Sequence, residues 1–285
     1  MLKNENKILT IPNEPIEVTE IRNKILSEFG DLIFIEDGHK YYLNGKLLPS
    51  VSHVTHQFAT PFDEELQAKR YAEKNGETPQ YWLDQWKYKS LKATTSGTLV
   101  HAYGESLGWL RNGHPELITE DNKCKYIKDK GWLIPTRPKE EAILKFYDEL
   151  NPNLHFVLAE TKVYTGKNKQ KTNLNQDYCG TFDILFYYKD PINDEKSGLC
   201  IFDFKTNNSL TNDYSRNFGK MLLPPFNDMY DESLSLYTLQ LCCYQIPLED
   251  IGLKVVGRRI IWLKDDCDYE LIPVDDVTER LRNTL

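Results

Sequence analysis

The run Leu199-Cys200-Ile201-Phe202-Asp203-Phe204-Lys205-Thr206 drives four apolar residues straight into a carboxylate and an ammonium. On a β-strand side chains alternate between faces. Asp203 and Lys205 therefore share one face, and Phe202 and Phe204 turn to the other, towards a packed layer. An acid and a base planted side by side at a strand end are costly to bury. The cost falls when a divalent cation takes the carboxylate and a phosphate or water takes the lysine. The rest of the chain reads as bringing further ligands to this point.

Two more apolar runs precede it. Residues 155–164 carry Glu160, and residues 178–188 carry Asp183 as their only charge. The connection 189–198 holds Pro191, Asn193, Asp194 and Gly198, a turn that suits an antiparallel pair. A fourth strand of Val, Ile and Trp is expected over 254–263.

Helices are expected around these strands. The first covers 18–29, followed by a hairpin over 31–43 around Asp37-Gly38 and a turn at Asn44-Gly45. The ring-rich stretch 61–94 reads as helical, with Trp82 and Trp86 on one face for helix–helix packing. Ser96-Gly97-Thr98 is expected to open a new helix with an apolar stripe at Val100, Tyr103, Leu107 and Leu110, and with His101 and Glu105 on its flank, one turn apart. Another helix covers 139–150. Asp231 is expected to cap a helix over 232–245 that Pro247 ends, in which Gln240 stands one turn before Tyr244. A last helix runs from 274. Two polar stretches, 166–176 with Lys167, Lys169 and Lys171, and 206–229, read as loops. The fold class is α/β, a central mixed sheet flanked by helices. Residues 1–95 form an N-terminal hairpin and helical extension packed on a core of 96–285, the two making one compact unit.

Composition narrows the function. The 285 residues carry a net charge of −8, which argues against a broad basic surface for duplex DNA but leaves room for a local basic track. No apolar run approaches the length of a membrane span, and the first residues have neither a signal-peptide nor a transit composition. None of the six cysteines forms a C-x-x-C pair, so buried thiols in a reduced, cytoplasmic compartment are expected.

If the strands bearing Asp183 and Asp203 pair, the two carboxylates approach closely and repel, which raises one pKa. A divalent cation removes the repulsion. Mg²⁺ prefers oxygen ligands, and water it activates is a nucleophile for a phosphodiester. Lys205 would orient that water or neutralise charge on the phosphate, and a nitrogen from His101 would tilt preference towards Mn²⁺. The plainer alternatives are a strand-end cap for Asp183 and a surface ion pair for Asp203 and Lys205.

The series Gly97-Thr98-x-x-His101-x-x-x-Glu105, Glu160, Gly180-Thr181-Phe182-Asp183, Asp203-Phe204-Lys205-Thr206 and Gln240-x-x-x-Tyr244 resembles the PD-(D/E)XK nucleases, in their RecB-like exonuclease branch. The motifs span about residues 95–263. More loosely, His39-Lys40-Tyr41-x-x-Asn44-Gly45 followed by Ser50-Val51-Ser52 is similar to the leader of phage-encoded and mitochondrial members. The resemblance implies a restriction-endonuclease-like core. It implies that Asp183 and Asp203 are metal-binding carboxylates, Lys205 the catalytic lysine, and His101 and the Phe204 carbonyl further ligands. Glu105 and Glu160 would be additional acids beside the metal, and Gln240 and Tyr244 would flank the site and position DNA. The implied activity is Mg²⁺- or Mn²⁺-dependent hydrolysis of DNA from single-stranded or duplex ends. The alternatives are a restriction-like endonuclease and a catalytically silent binding protein. With no C-x-x-C-type cluster near the C-terminus, no iron–sulfur cluster is expected. With no G-x-x-x-x-G-K-[ST] motif, a stand-alone nuclease is expected rather than a helicase–nuclease.

Overall fold

The computed structural model describes residues 14–35, 38, 40–166 and 176–285. Asp37, His39 and the lysines 167, 169 and 171 lie outside the described residues.

In chain order, α1 is Ile16–Phe29, β1 Ile33–Ile35, β2 Lys40–Leu43, β3 Lys46–Leu48, α2 Val51–His56, α3 Glu64–Asn75 and α4 Pro79–Arg111. Then come α5 Glu120–Lys123, β4 Tyr126–Ile127, β5 Trp132–Leu133 and α6 Pro138–Asp148. The strands β6 Leu154–Tyr164, β7 Cys179–Tyr188 and β8 Gly198–Lys205 follow. The chain closes with α7 Asp213–Phe218, α8 Ser233–Asp250, β9 Val255–Leu263, β10 Tyr269–Pro273 and α9 Thr278–Arg282.

The central sheet has five strands in the order β10-β9-β8-β7-β6. It is mixed, because β6, β7 and β8 form an antiparallel meander while β9 returns parallel to β8 through α8. Phe202 and Phe204 lie against Phe146 of α6, at ring-centroid distances of 6.0 and 6.2 Å. Lys205 turns to the other face and reaches Gln240 of α8. The alternation expected for this strand is thus the arrangement observed. A Cβ on Gly104 of α4 would overlap the Phe204 ring, so glycine is what lets the helix lie this close.

The edge strand β6 is bulged between Phe156 and Leu158, which takes carbonyls out of the ladder. Arg22 of α1, fully buried, serves them: its Nε donates to the Val157 carbonyl at 2.7 Å and Nη2 to the Phe156 carbonyl at 3.1 Å. The small sheet β1-β2-β3 attaches to β7 through the Pro49 carbonyl, which accepts from Cys179 N at 3.0 Å.

Four expectations are corrected. No new helix opens at Ser96, because α4 is continuous from Pro79 to Arg111. Its cap is Thr78, whose hydroxyl accepts from Tyr81 N at 3.2 Å, with Pro79 in the first turn. Thr98, which read as a start signal, donates its hydroxyl back to the Thr94 carbonyl at 3.0 Å. Pro247 does not end α8, which continues to Asp250. The carbonyl four residues before Pro247, that of Cys243, has no proline N–H to accept from. It accepts instead from the Tyr178 hydroxyl at 2.9 Å. Asp231 does not cap α8; its Oδ2 accepts from Thr60 N at 3.2 Å and pairs with Lys220 at 2.9 Å. The C-terminal region forms strand β10 before a short α9, so no helix starts at 274.

Candidate metal centre

The site forms where β7 and β8 part. Their ladder pairs Ile184 with Phe202. One step on, Asp183 faces Asp203, and the Asp183 carboxylate takes over the role of a backbone acceptor: Oδ2 receives Phe204 N–H at 2.7 Å. His101 comes from the inner half of α4 and sets Nδ1 3.2 Å from the same oxygen. Glu160 stands opposite Asp183 on β6 between the pairs Ala159–Ile184 and Thr161–Phe182. Its φ is 45°, in the left-handed region that non-glycine residues rarely occupy. That backbone twist is a second irregularity of β6, after the bulge at Phe156–Leu158. One ligand atom each from His101, Glu160 and Asp183 lie within 4.8 Å of one another.

The electrostatics are those of crowded acids. Burial raises Asp203, and the neighbouring Asp183 charge raises it further. Burial and then Asp183 likewise push Glu160 up, and burial lifts Glu105 to about 7. Asp183 goes the other way. Burial opposes its ionisation, but the His101 charge and hydrogen bond, Lys205 and the Phe204 N–H together hold it below the usual carboxylate range. His101 would be lowered by burial, yet Asp183 and Glu160 carry it up to about 9. His101 Nδ1 thus lies against Asp183 among acids whose burial and mutual repulsion oppose ionisation.

Lys205 Nζ lies 2.5 Å from Asp203 Oδ2 and donates to Gln240 Oε1 at 3.1 Å. It also sits 4.1 Å from the centre of the Tyr237 ring. Gln240 Nε2 in turn donates to the Tyr244 hydroxyl at 2.9 Å. Burial would lower Lys205, but Asp203 and Asp183 outweigh it and hold the ammonium protonated. Tyr244 packs against Gly180, where a Cβ would come within 2.7 Å of the ring, so glycine in Gly180-Thr181-Phe182-Asp183 admits the helix that carries Gln240.

These residues suit a hard or borderline divalent ion. The donors are carboxylate oxygens and one imidazole nitrogen. Asp203 Oδ2 is buried and its partner is the Lys205 ammonium.

The sequence-derived residues divide into three settings. His101, Glu160 and Asp183 converge tightly. Asp203 and Lys205 stand beside them as a pair, continued by Gln240 and Tyr244. Glu105 is linked by charge, raising Glu160 and being raised by Asp183. Phe204 contributes its N–H to Asp183 and its ring to the core. Sequence reasoning missed Tyr237 under the lysine, although it stands three residues before Gln240 on the same helical stripe. It also missed Lys139, whose Nζ holds the Thr206 carbonyl at 2.7 Å. A lysine in the first turn of a helix carries no signal for such a contact.

Among the described residues no helix is long and apolar enough to cross a membrane. No protein-family model matches the chain, and no curated protein matches it.

Proposed function

We propose that this chain is a divalent-metal-dependent nuclease that hydrolyses phosphodiester bonds of DNA, working from ends. The observation that carries the reading is the meeting of His101, Glu160 and Asp183 within 4.8 Å, with the Asp203–Lys205 pair beside them. His101, Glu160, Asp183 and Asp203 would hold the cation. When bound, Mg²⁺ or Mn²⁺ supplies Lewis-acid activation of water and of a phosphoryl oxygen.

The chain's own groups do the rest. The Phe204 N–H fixes the rotamer of Asp183, so its second oxygen is presented in one direction. Lys205 would place positive charge where a phosphate oxygen gains negative charge in the transition state. Gln240 and Tyr244 hold the ammonium in line, and the Tyr237 ring covers one side of it. The preference for ends follows the resemblance to the RecB-like branch.

The test is a cleavage assay with Mg²⁺ or Mn²⁺ on linear single-stranded, linear duplex, closed circular and end-blocked DNA. The expected result is metal-dependent loss of the linear substrates with free ends alone. Asp183→Asn and Lys205→Met should each lose about 10²–10³-fold in rate while keeping the parent circular-dichroism spectrum. Cutting of closed circles would instead make the protein an endonuclease. No cleavage by folded protein with either metal would make it a binding module.

A further inference from the structure

Helix α4 has two halves with different surroundings. From Val100 inwards it is packed, with Val100, Tyr103 and Leu107 buried. At its outer end it is clamped by rings to α3 and the residues just before it: Tyr71 of α3 lies 5.3 Å from Trp82 and 5.6 Å from Trp86, and Phe62 lies 6.1 Å from Trp86. Between these two anchors, residues 87–96 are exposed on every face of the helix. Such a segment gains nothing from packing and is held by its ends alone.

Its chemistry is one-sided. Residues 85–104 contain Lys87, Lys89 and Lys92 and no acid, in a chain whose net charge is −8. Two large groups stand out from it into solvent, Tyr88 at 63% and Leu91 at 65% exposure. A run of small hydroxyl and glycine residues, Thr94-Thr95-Ser96-Gly97-Thr98, leads inward. At 3.6 residues per turn, Lys87, Leu91, Thr94, Thr98 and His101 fall on one stripe. Lys87 is then about 20 Å from His101 along the axis. The stripe begins at a cation and ends at the candidate metal centre.

We propose that this free-standing part of α4 binds the sugar-phosphate backbone of a single-stranded nucleic acid and leads its end to the cluster at His101. The direction of the strand rests on the nuclease reading; the binding does not. Lysines supply the phosphate contacts, the hydroxyls of Thr94, Thr95 and Ser96 supply donors as the strand nears the site, and Tyr88 offers a face on which a base stacks. A second copy of the chain is the poorer occupant, because two such segments in symmetric contact would set lysine against lysine.

The experiment is fluorescence anisotropy of a labelled 20-nucleotide oligo-dT in EDTA, so that binding is read without cleavage, over a series of salt concentrations. The triple variant Lys87→Gln, Lys89→Gln, Lys92→Gln should bind more weakly, and its slope of log affinity against log salt should be shallower by about 2, for three lost phosphate contacts. Tyr88→Ala should weaken binding about tenfold. In a cleavage assay the triple variant should raise KM for single strands and leave kcat unchanged. A charge-matched control, Lys123→Gln, Lys128→Gln, Lys130→Gln, should keep the parent slope. Unchanged melting temperatures of the variants show that folding is intact.

The proposal falls if the triple variant keeps the parent slope, or if the control flattens it equally. It also falls if sedimentation equilibrium finds a dimer that Tyr88→Ala and Leu91→Ala dissociate with oligo-dT affinity unchanged, which would assign the face to a second copy. A parent protein that cleaves nothing but shows the expected slopes sinks the nuclease reading and leaves this one standing.

Discussion

Glu160 is the residue that most clearly trades stability for arrangement. Its positive φ costs on the order of 1 kcal/mol against an ordinary strand conformation, and its carboxylate is set beside Asp183 with burial and like charge both opposing ionisation. A carboxylate whose folded-state pKa is raised carries no penalty at acid pH, where it is protonated in both states. The penalty appears as pH rises above the ordinary glutamate value of about 4.3. Metal-free Glu160→Gln should therefore melt above the parent at pH 8, with the difference shrinking towards pH 4. Thermal melts in EDTA across that range check it, and an advantage that is constant with pH would show that the acid is not under strain. The same residue shows where sequence reading stops. A lone acid in an apolar strand was visible as a candidate, whereas the backbone twist that brings it to the front of the site depends on the register with β7.

At the scale of elements, the three strands of the meander were legible because each is an apolar run with a charge at a site position and punctuation between. The helix boundaries were less so, for a reason that Pro247 makes plain. A proline in a helix removes one donor, and the helix ends only if nothing else serves the orphaned carbonyl. Here Tyr178, sixty-five residues away, serves it. The two residues should therefore be coupled. Tyr178→Phe should cost about 1–2 kcal/mol by stranding the Cys243 carbonyl. It should cost distinctly less in a Pro247→Ala background, where the helix supplies its own N–H. A double-mutant cycle from urea unfolding measures this, and equal costs in both backgrounds would mean the carbonyl is satisfied elsewhere. In α4 the misleading signal was a string of hydroxyls and a glycine, which reads as a helix start when no partner is in view.

For the molecule as a whole, a cation held by the crowded acids would link its binding to folding. A cation that binds the native state alone stabilises it by about 2.7 kcal/mol at a hundredfold excess over its Kd. Mn²⁺ should raise the melting temperature of the parent, and Asp183→Asn should abolish the rise. An equal rise in the variant would place the ion elsewhere. The central mixed sheet with its flanking helices was legible in the sequence, from the strand runs and the antiparallel turn. Which strand β9 pairs with was not, since partners about fifty residues apart leave no local mark, and the short edge strand β10, which turns back from β9 between Leu263 and Tyr269, was not assigned.

The unbroken run of α4 through residues 95 and 96 also decides how the N-terminal third can be removed. Cutting the chain there would not lift off an appendage at a hinge. It would create a fresh helix end five residues before His101, with the first four N–H groups unpaired and the opening turn free to fray. A truncated protein would lose the imidazole's position through unravelling as well as through the lost contacts of residues before 96 with the central sheet, such as those of Arg22 on β6. The outer helix is thus the splint of the inner one, and a cut in front of residue 96 would need a new cap there in addition to cover for the core that α1, α2 and the small sheet bury.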